Sequence, residues 1–190
     1  MVEDVIQYLD AIFPLQEELK EELRKIGITK TYLKDERVLQ TGEIANYASF
    51  IVKGLVRSYY IREDGEEITT KFLLENSIIT SIFSFFSRKP GVENIVAMEE
   101  TVMVCFHHDQ LQVIYKQYLE MNYVIRVVTE QYLYFLEVEI YNLRKKKAEE
   151  RYLFFVKHFP SLLQRAPLKH IATYLGMNLE TLSRVRGRRL

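Results

Sequence analysis

The sequence predicts an α+β fold, in which an N-terminal antiparallel β-roll with flanking helices is followed by a long helix and a small helical domain. Between about residues 31 and 106, short apolar runs alternate with turn residues, which is typical of antiparallel strands. From residue 110 to 147 there is no glycine or proline, and apolar residues recur at helical spacing. The last twenty-four residues form two further helical segments on either side of Gly176.

The first predicted domain, residues 1–119, begins with an amphipathic helix over residues 3–26 that Pro14 interrupts. Gly54 separates the first two predicted strands, and Asp64-Gly65 is a strong hairpin signal between the next two. Short strands are predicted at residues 49–53, 55–61, 68–73, 94–98 and 102–106. Strands of this length with regular turns indicate a small antiparallel barrel or roll.

The second predicted element is a long helix over residues 120–147, whose apolar residues occupy more than one side. Such a helix needs two packing partners, and the roll can supply only one of them. A second copy of the same helix can supply the other, so we expect a homodimer. The seam residues are expected to be Val128, Tyr132 and Leu136. The alternative is that one domain buries the whole apolar surface.

The third predicted domain, residues 148–190, contains two short helices joined by a tight turn. One face of the first short helix carries Leu168, Ile171, Ala172 and Leu175. Gly176 stops this helix because glycine accepts a left-handed backbone, and Asn178 is a favourable N-cap for the next helix. This order is typical of a helix-turn-helix.

The second short helix has an apolar side and a polar side. Leu182 and Val185 point one way, whereas Glu180, Ser183 and Arg184 share another face. In a helix-turn-helix, the polar face of this helix enters the major groove of DNA. The alternative at this point is a helical hairpin that merely packs on a larger domain.

The distribution of charge favours DNA. The chain carries 26 basic and 26 acidic side chains, but from Arg144 onward there are twelve basic and three acidic ones. Such asymmetry suggests a nucleic-acid or membrane partner for the basic part. Phosphate neutralisation by lysine and arginine supplies most of the non-specific affinity for DNA. An acidic body would be repelled from DNA, which would orient the basic tail toward it.

Composition excludes several other classes. Cys105 is the single cysteine, so a disulfide within the chain is excluded, and we expect a buried thiol. His107 and His108 are adjacent and would point to opposite faces of a strand, so no metal site is expected there. No catalytic or cofactor motif is present, so neither an enzyme nor a cofactor is expected. The N-terminus lacks the pattern of a signal peptide, and a cytoplasmic protein without membrane contact is expected.

With these residues in view, the chain resembles the cyclic-AMP receptor protein and fumarate–nitrate regulator (Crp/Fnr) family of bacterial transcription regulators. The element order matches over nearly the whole length, and Glu180-Thr181-Leu182-Ser183-Arg184 is similar to the recognition-helix pattern of the family. Leu179 stands where well-known members carry another arginine. Because the sequence ends directly after this helix, it is similar to a short-tailed branch of the family.

The resemblance implies a homodimer on double-stranded DNA, with RNA polymerase as a further candidate partner. It implies that Glu180 and Arg184 read base edges, and we expect Ser183 to take part beside them. Contacts to DNA phosphates are expected from Lys169, Thr181, Arg186, Arg188 and Arg189. The alternative is a ligand-binding or interaction module whose basic tail docks on an acidic partner. Whether regulation is positive or negative stays open.

The resemblance also bears on the effector. Members that bind cyclic AMP use a Gly-Glu pair and an Arg-Ser-Ala run, and the corresponding positions here fall near Asn76-Ser77 and Glu93-Asn94-Ile95. Glu93 would place a negative charge where the phosphate should lie, so a cyclic nucleotide is not the expected effector. A small-molecule effector of unknown identity is expected. Its pocket is expected at Phe83, Phe85, Phe86, Glu93 and Asn94.

Overall fold

The structure is a computed structural model that describes residues 1–187. The first part contains helices α1 (Val2–Ile12) and α2 (Glu17–Ile26), then strands β1 (Ile28–Tyr32), β2 (Arg37–Leu39), β3 (Tyr47–Lys53), β4 (Val56–Ile61), β5 (Glu67–Leu73) and β6 (Ile78–Ile79). Helix α3 (Ile82–Ser87) and strands β7 (Asn94–Ala97) and β8 (Thr101–His107) follow. The remaining helices are α4 (His108–Gln117), α5 (Leu119–Lys145), α6 (Ala148–His158), α7 (Leu162–Arg165), α8 (Leu168–Tyr174) and α9 (Leu179–Gly187).

The strands form two four-stranded sheets, in the orders β1-β8-β3-β6 and β2-β7-β4-β5. Strand β8 lies at the centre of the first sheet and pairs antiparallel with β1 on one side and β3 on the other. Apolar residues from both sheets form one buried cluster, which includes Ile51, Ile95 and Met103. The predicted α+β class, with its antiparallel roll and long helix, is confirmed.

The N-terminal helices pack on the roll through leucines at helical spacing. Leu19 and Leu23 of α2 are fully buried in a cluster with Phe50 of β3 and Val124 of α5. Cys105 is 1% exposed, as the sequence predicts, and burial raises the pKa of its thiol. Burial therefore works against thiolate formation, and a thiol reacts as its thiolate.

The helical region after the roll is not continuous, in contrast to the sequence prediction of one run from residue 110 to 147. Tyr118 has an extended backbone, with φ −122 and ψ 104, and separates α4 from α5. The Asn122 side-chain amide donates to the Tyr118 carbonyl at 3.2 Å, which satisfies a carbonyl that the break releases. Neither glycine nor proline is required for this break, which explains why the sequence did not predict it.

The chain divides into two compact units. The first comprises residues Met1–Ser58 and Phe72–Glu130. The second comprises Tyr59–Lys71, which carries the turn between β4 and β5, together with Gln131–Leu190. None of the helices in residues 1–187 combines the length and the apolar composition that a membrane span needs.

Gly54, between β3 and β4, is expected to tolerate no side chain. Its φ is +110, and a Cβ atom there would lie 2.7 Å from the Thr101 Cα and 2.4 Å from its Oγ1. Gly42 also has a positive φ, +86, but a Cβ there meets nothing within 4 Å. We expect Gly42→Ala to cost about 1–2 kcal/mol from backbone strain alone. Gly54→Ala should cost about 1–3 kcal/mol more from overpacking, as measured by urea unfolding.

Comparison of Gly54→Ala with Gly42→Ala separates the steric contact with Thr101 from backbone strain, since both glycines have a positive φ. Equal losses of stability in the two variants would contradict the close approach of Gly54 to Thr101.

Candidate functional site

The turn between α8 and α9 is closed by backbone hydrogen bonds. Gly176 has φ 63, the left-handed conformation that the sequence predicts there. The Gly176 N–H donates to the Thr173 carbonyl and the Met177 N–H donates to the Ala172 carbonyl, each at 3.0 Å. Together these bonds form a Schellman motif, which fixes the direction in which the chain leaves α8.

Asn178 begins α9 as an N-cap. Its Oδ1 accepts a hydrogen bond from the Thr181 N–H at 2.8 Å, and its carbonyl accepts from the Leu182 N–H. This bond satisfies one of the unpaired N–H groups of the first helical turn. The predicted N-cap is therefore confirmed.

Helix α9 has one buried face and one exposed face. Leu182 is 0% exposed and Val185 is 9% exposed, whereas Glu180, Ser183 and Arg184 are exposed. The Arg184 Nη2 lies 3.3 Å from the Glu180 Oε1. Exposed pairs of this kind contribute at most about 1 kcal/mol, so both side chains are available to other partners.

The predicted phosphate ligands lie in different environments. Lys169 is exposed on α8, while Thr181 and Arg186 of α9 are half-buried. Arg188 and Arg189 lie outside the described residues. Among the predicted phosphate ligands that the structure describes, Lys169 is therefore the one with an exposed side chain.

The roll contains a cavity of about 520 Å³. It is lined by Lys30, Tyr32, Val38, Leu39, Glu43, Ile44, Ala45, Asn46, Tyr47, Ser49, Ile79, Thr80, Ser81 and Ile95. Lys30 is the one cation in this lining within the described part of the chain, and its Nζ lies 4.0 Å from the centroid of the Tyr47 ring.

The predicted effector-pocket residues do not line this cavity. Phe83 and Phe86 of α3 are 58% and 64% exposed, whereas Phe85 is buried. Asn94 is buried, and its Oδ1 accepts a hydrogen bond from the Thr41 N–H at 3.0 Å. Glu93 is half-buried outside the lining. The rings of Phe85 and Phe86 contact each other edge to face, with centroids 5.4 Å apart.

No arginine lines the roll cavity in the described residues. The nearest candidate by sequence, Arg88, donates through Nη1 to the Ala45 carbonyl at 2.8 Å and through Nη2 to Asn46. Both Nη atoms of this guanidinium are thus hydrogen-bonded within the protein. An arginine is the usual bidentate partner of a phosphate, and among the described residues this cavity offers only the single positive charge of Lys30.

Helix α5 exposes a row of apolar side chains in the second unit. Leu133, Ile140 and Leu143 are 60%, 42% and 46% exposed, and Leu136 is half-buried between them. The spacing of these four residues is three, four and three, which is the pattern of a coiled-coil seam. The other predicted seam residues, Val128 and Tyr132, are half-buried.

Comparison with known proteins agrees with this geometry. Residues 29–118 match the family model described as the cyclic nucleotide-binding domain. FixK2 from Bradyrhizobium japonicum is 24% identical with a TM-score of 0.74, over 86% of this chain and 84% of that chain. No curated protein matches the sequence.

Two more distant structures share the fold. The c-di-GMP responsive global regulator CLP of Xanthomonas campestris is 15% identical, with a TM-score of 0.72, over 91% of each chain. A CooA mutant from Carboxydothermus hydrogenoformans is 20% identical, with a TM-score of 0.67, over 91% of this chain and 78% of that chain. The resemblance to Crp/Fnr regulators is thereby confirmed at the level of the fold.

Cyclic AMP is not expected to bind, because the described lining of the roll cavity offers its phosphate Lys30 but no arginine. A ligand with a micromolar Kd would stabilise the protein by about 4 kcal/mol at millimolar concentration. We therefore expect no thermal shift with 1 mM cyclic AMP. A clear rise in melting temperature that is lost in Lys30→Met would contradict this reading of the cavity.

Proposed function

We propose that this chain, which has the fold of the Crp/Fnr regulators, is a homodimeric transcription regulator that reads a palindromic operator with α9. The observation that carries this proposal is the exposed face formed by Glu180, Ser183 and Arg184. That face stands on a helix whose other side is held by buried Leu182 and Val185. A helix that is anchored on one side and polar on the other is suited to the major groove.

The chemistry of the exposed face suggests specific base contacts. Arg184 can donate two hydrogen bonds to the O6 and N7 of guanine, and Glu180 can accept from the N4 amino group of cytosine. The ion pair between them at 3.3 Å keeps both side chains on the same face of α9. Ser183 lies between them in the sequence and can donate to or accept from either base.

Non-specific affinity would come from the basic segment. Twelve basic and three acidic side chains follow residue 143, and exposed Lys169 on α8 is the clearest candidate for a phosphate contact. Thr181, Arg186, Arg188 and Arg189 are the further candidates. Each phosphate that is neutralised releases counterions, so affinity should fall steeply with salt.

The exposed row on α5 supports the homodimer. We place the seam on Leu133, Leu136, Ile140 and Leu143, which includes one of the three seam residues predicted from sequence. Tyr132, a predicted seam residue, instead has the Lys71 Nζ 5.7 Å from its ring centroid within the same chain. Two recognition helices related by a two-fold axis would meet half-sites about 34 Å apart.

Arg184→Ala is expected to reduce the binding free energy that distinguishes one base pair of each half-site by about 1–3 kcal/mol, since it removes a bidentate contact to guanine. The measurement is competition binding with operators in which each base pair is changed in turn. Lys169→Ala is the matched control. It should weaken binding to all DNA sequences alike. It should also reduce the slope of log K against log salt concentration by about one.

The result that would contradict the assignment is unchanged base preference in Arg184→Ala. Binding to acidic proteins but to no DNA duplex would favour the interaction-module alternative.

Leu133→Asp is expected to give monomers, because it would bury an unpaired carboxylate in the seam. Gln131→Asp is the matched control, since Gln131 is an exposed residue on the same helix away from the row. Sedimentation should show a dimer for the control and a folded monomer for Leu133→Asp. A dimer of wild-type stability for Leu133→Asp would place the seam elsewhere.

A further inference from the structure

The second unit contains a cavity of about 360 Å³ that the proposed function does not use. Its walls come from the β4–β5 hairpin, the end of α5, helix α6, and the end of α8 with the following turn. Five aromatic side chains line it: Tyr60, Phe154, Phe155, Phe159 and Tyr174. The volume lies within the range of small-molecule sites, about 300–1,000 Å³, and the apolar lining is typical of them.

Three buried polar atoms at this cavity have no hydrogen-bond partner among the described residues. They are the Asn142 Nδ2, the Arg151 Nε and the Thr70 Oγ1. Asn142 is only 7% exposed. A buried donor without a partner costs about 1–3 kcal/mol, and native proteins contain few of them. Two unused N–H donors at one cavity point to an acceptor on a ligand.

Arg151 is held in place while its Nε stays unused. Its Nη1 donates to the Lys146 carbonyl at 2.9 Å and its Nη2 donates to the Gly176 carbonyl at 3.2 Å. The guanidinium is therefore held at the cavity wall by two hydrogen bonds, while its buried Nε has no partner among the described residues. A fixed cation and an amide donor in the lining of one cavity favour an anionic acceptor such as a carboxylate.

The acidic residue of the lining is compatible with an anionic ligand. Burial raises the pKa of Glu139, although the hydrogen bond from Tyr174 and the charge of Lys71 both act in the opposite direction. The Tyr174 hydroxyl donates a hydrogen bond to Glu139. Glu139 is thus hydrogen-bonded to Tyr174 and attracted by Lys71, so part of its negative charge is balanced within the protein.

We propose that this cavity is a binding site for a small aromatic carboxylate. The carboxylate accepts hydrogen bonds from the Asn142 Nδ2 and the Arg151 Nε, and the ring packs among the aromatic side chains. The site is distinct from the roll cavity, whose lining shares no residue with it.

The location suggests how occupancy could regulate the protein, a step that rests on the proposed function. Leu175 and Gly176 of the lining belong to the turn that directs α9, and Leu143 belongs to the exposed row on α5. A bound ligand would therefore contact both the turn and the helix that carries the dimer seam. Binding itself can be tested without DNA.

The test uses 2-naphthoate as the probe and isothermal titration calorimetry on the whole chain. We expect a Kd below about 1 mM, given the usual affinity per atom of small ligands. Naphthalene-2-methanol, which lacks the carboxylate, should bind at least about tenfold more weakly. Because the protein contains no tryptophan, naphthalene fluorescence can confirm the titration without an indole background.

Asn142→Leu is the decisive variant, because leucine has a similar size and no donor. It should weaken 2-naphthoate about tenfold and raise the melting temperature of the empty protein, since an unpartnered buried amide is removed. A purely structural role for Asn142 would instead lower the melting temperature. Lys30→Met, at the roll cavity, is the matched control and should leave the Kd unchanged.

If Asn142→Leu does not fold, intermolecular NOEs on the wild-type protein decide the question. Contacts from naphthoate protons to the rings of Phe154 and Phe155 would support the proposal. Contacts to Tyr32 and Tyr47 of the roll cavity would overturn it, as would a loss of binding in Lys30→Met. The absence of any binding at 5 mM 2-naphthoate would overturn it as well. A failure of DNA binding would leave these measurements untouched.

Discussion

The backbone turn at Gly176 is the constraint on which the rest of the second unit depends. Its positive φ allows the two hydrogen bonds that close the Schellman motif, and Asn178 then caps α9 two residues later. The Gly176 carbonyl also accepts from Arg151, which ties the turn to α6. A residue with a Cβ atom would adopt this backbone only at a cost of about 1–2 kcal/mol, so the direction of α9 depends on glycine here.

The same turn connects the two sites proposed for this unit. Helix α9 presents Glu180 and Arg184 to solvent on one side of the turn. Arg151, which holds the turn through its Nη2, faces the cavity with an unused Nε. A ligand that engages Arg151 would thus act on a residue that is hydrogen-bonded to the turn preceding α9. By contrast, within residues 1–187 the lining of the roll cavity contains Lys30 and no arginine for an anionic ligand.

The parts of the fold that local chemistry determines could be predicted from the sequence. Gly176 and Asn178 act on their own backbone neighbours, so the turn and the cap were predictable from residue type. The buried positions of Leu182 and Val185 follow from helical spacing. Strands β2 and β6 could not be predicted, because at three and two residues they are too short to show an alternating pattern.

Features that depend on tertiary contacts could not be read from one sequence. Periodicity shows that α5 is apolar on several sides, but only the packing of its own chain leaves Leu133 and Ile140 exposed while Val128 is half-buried. The aromatic-lined cavity of the second unit is lined in part by Thr70, Asn142 and Arg151, which come from three separate elements. No short motif joins these residues, so only the structure brings them together.

The central claim is that two copies of this chain read a palindromic sequence with paired α9 helices. Selection of duplexes from a random pool by the purified protein tests it most directly. The account predicts enrichment of an inverted repeat whose half-site centres lie about 10 base pairs, or one helical turn, apart. Enrichment of no sequence, or of a single site without two-fold symmetry, would contradict it.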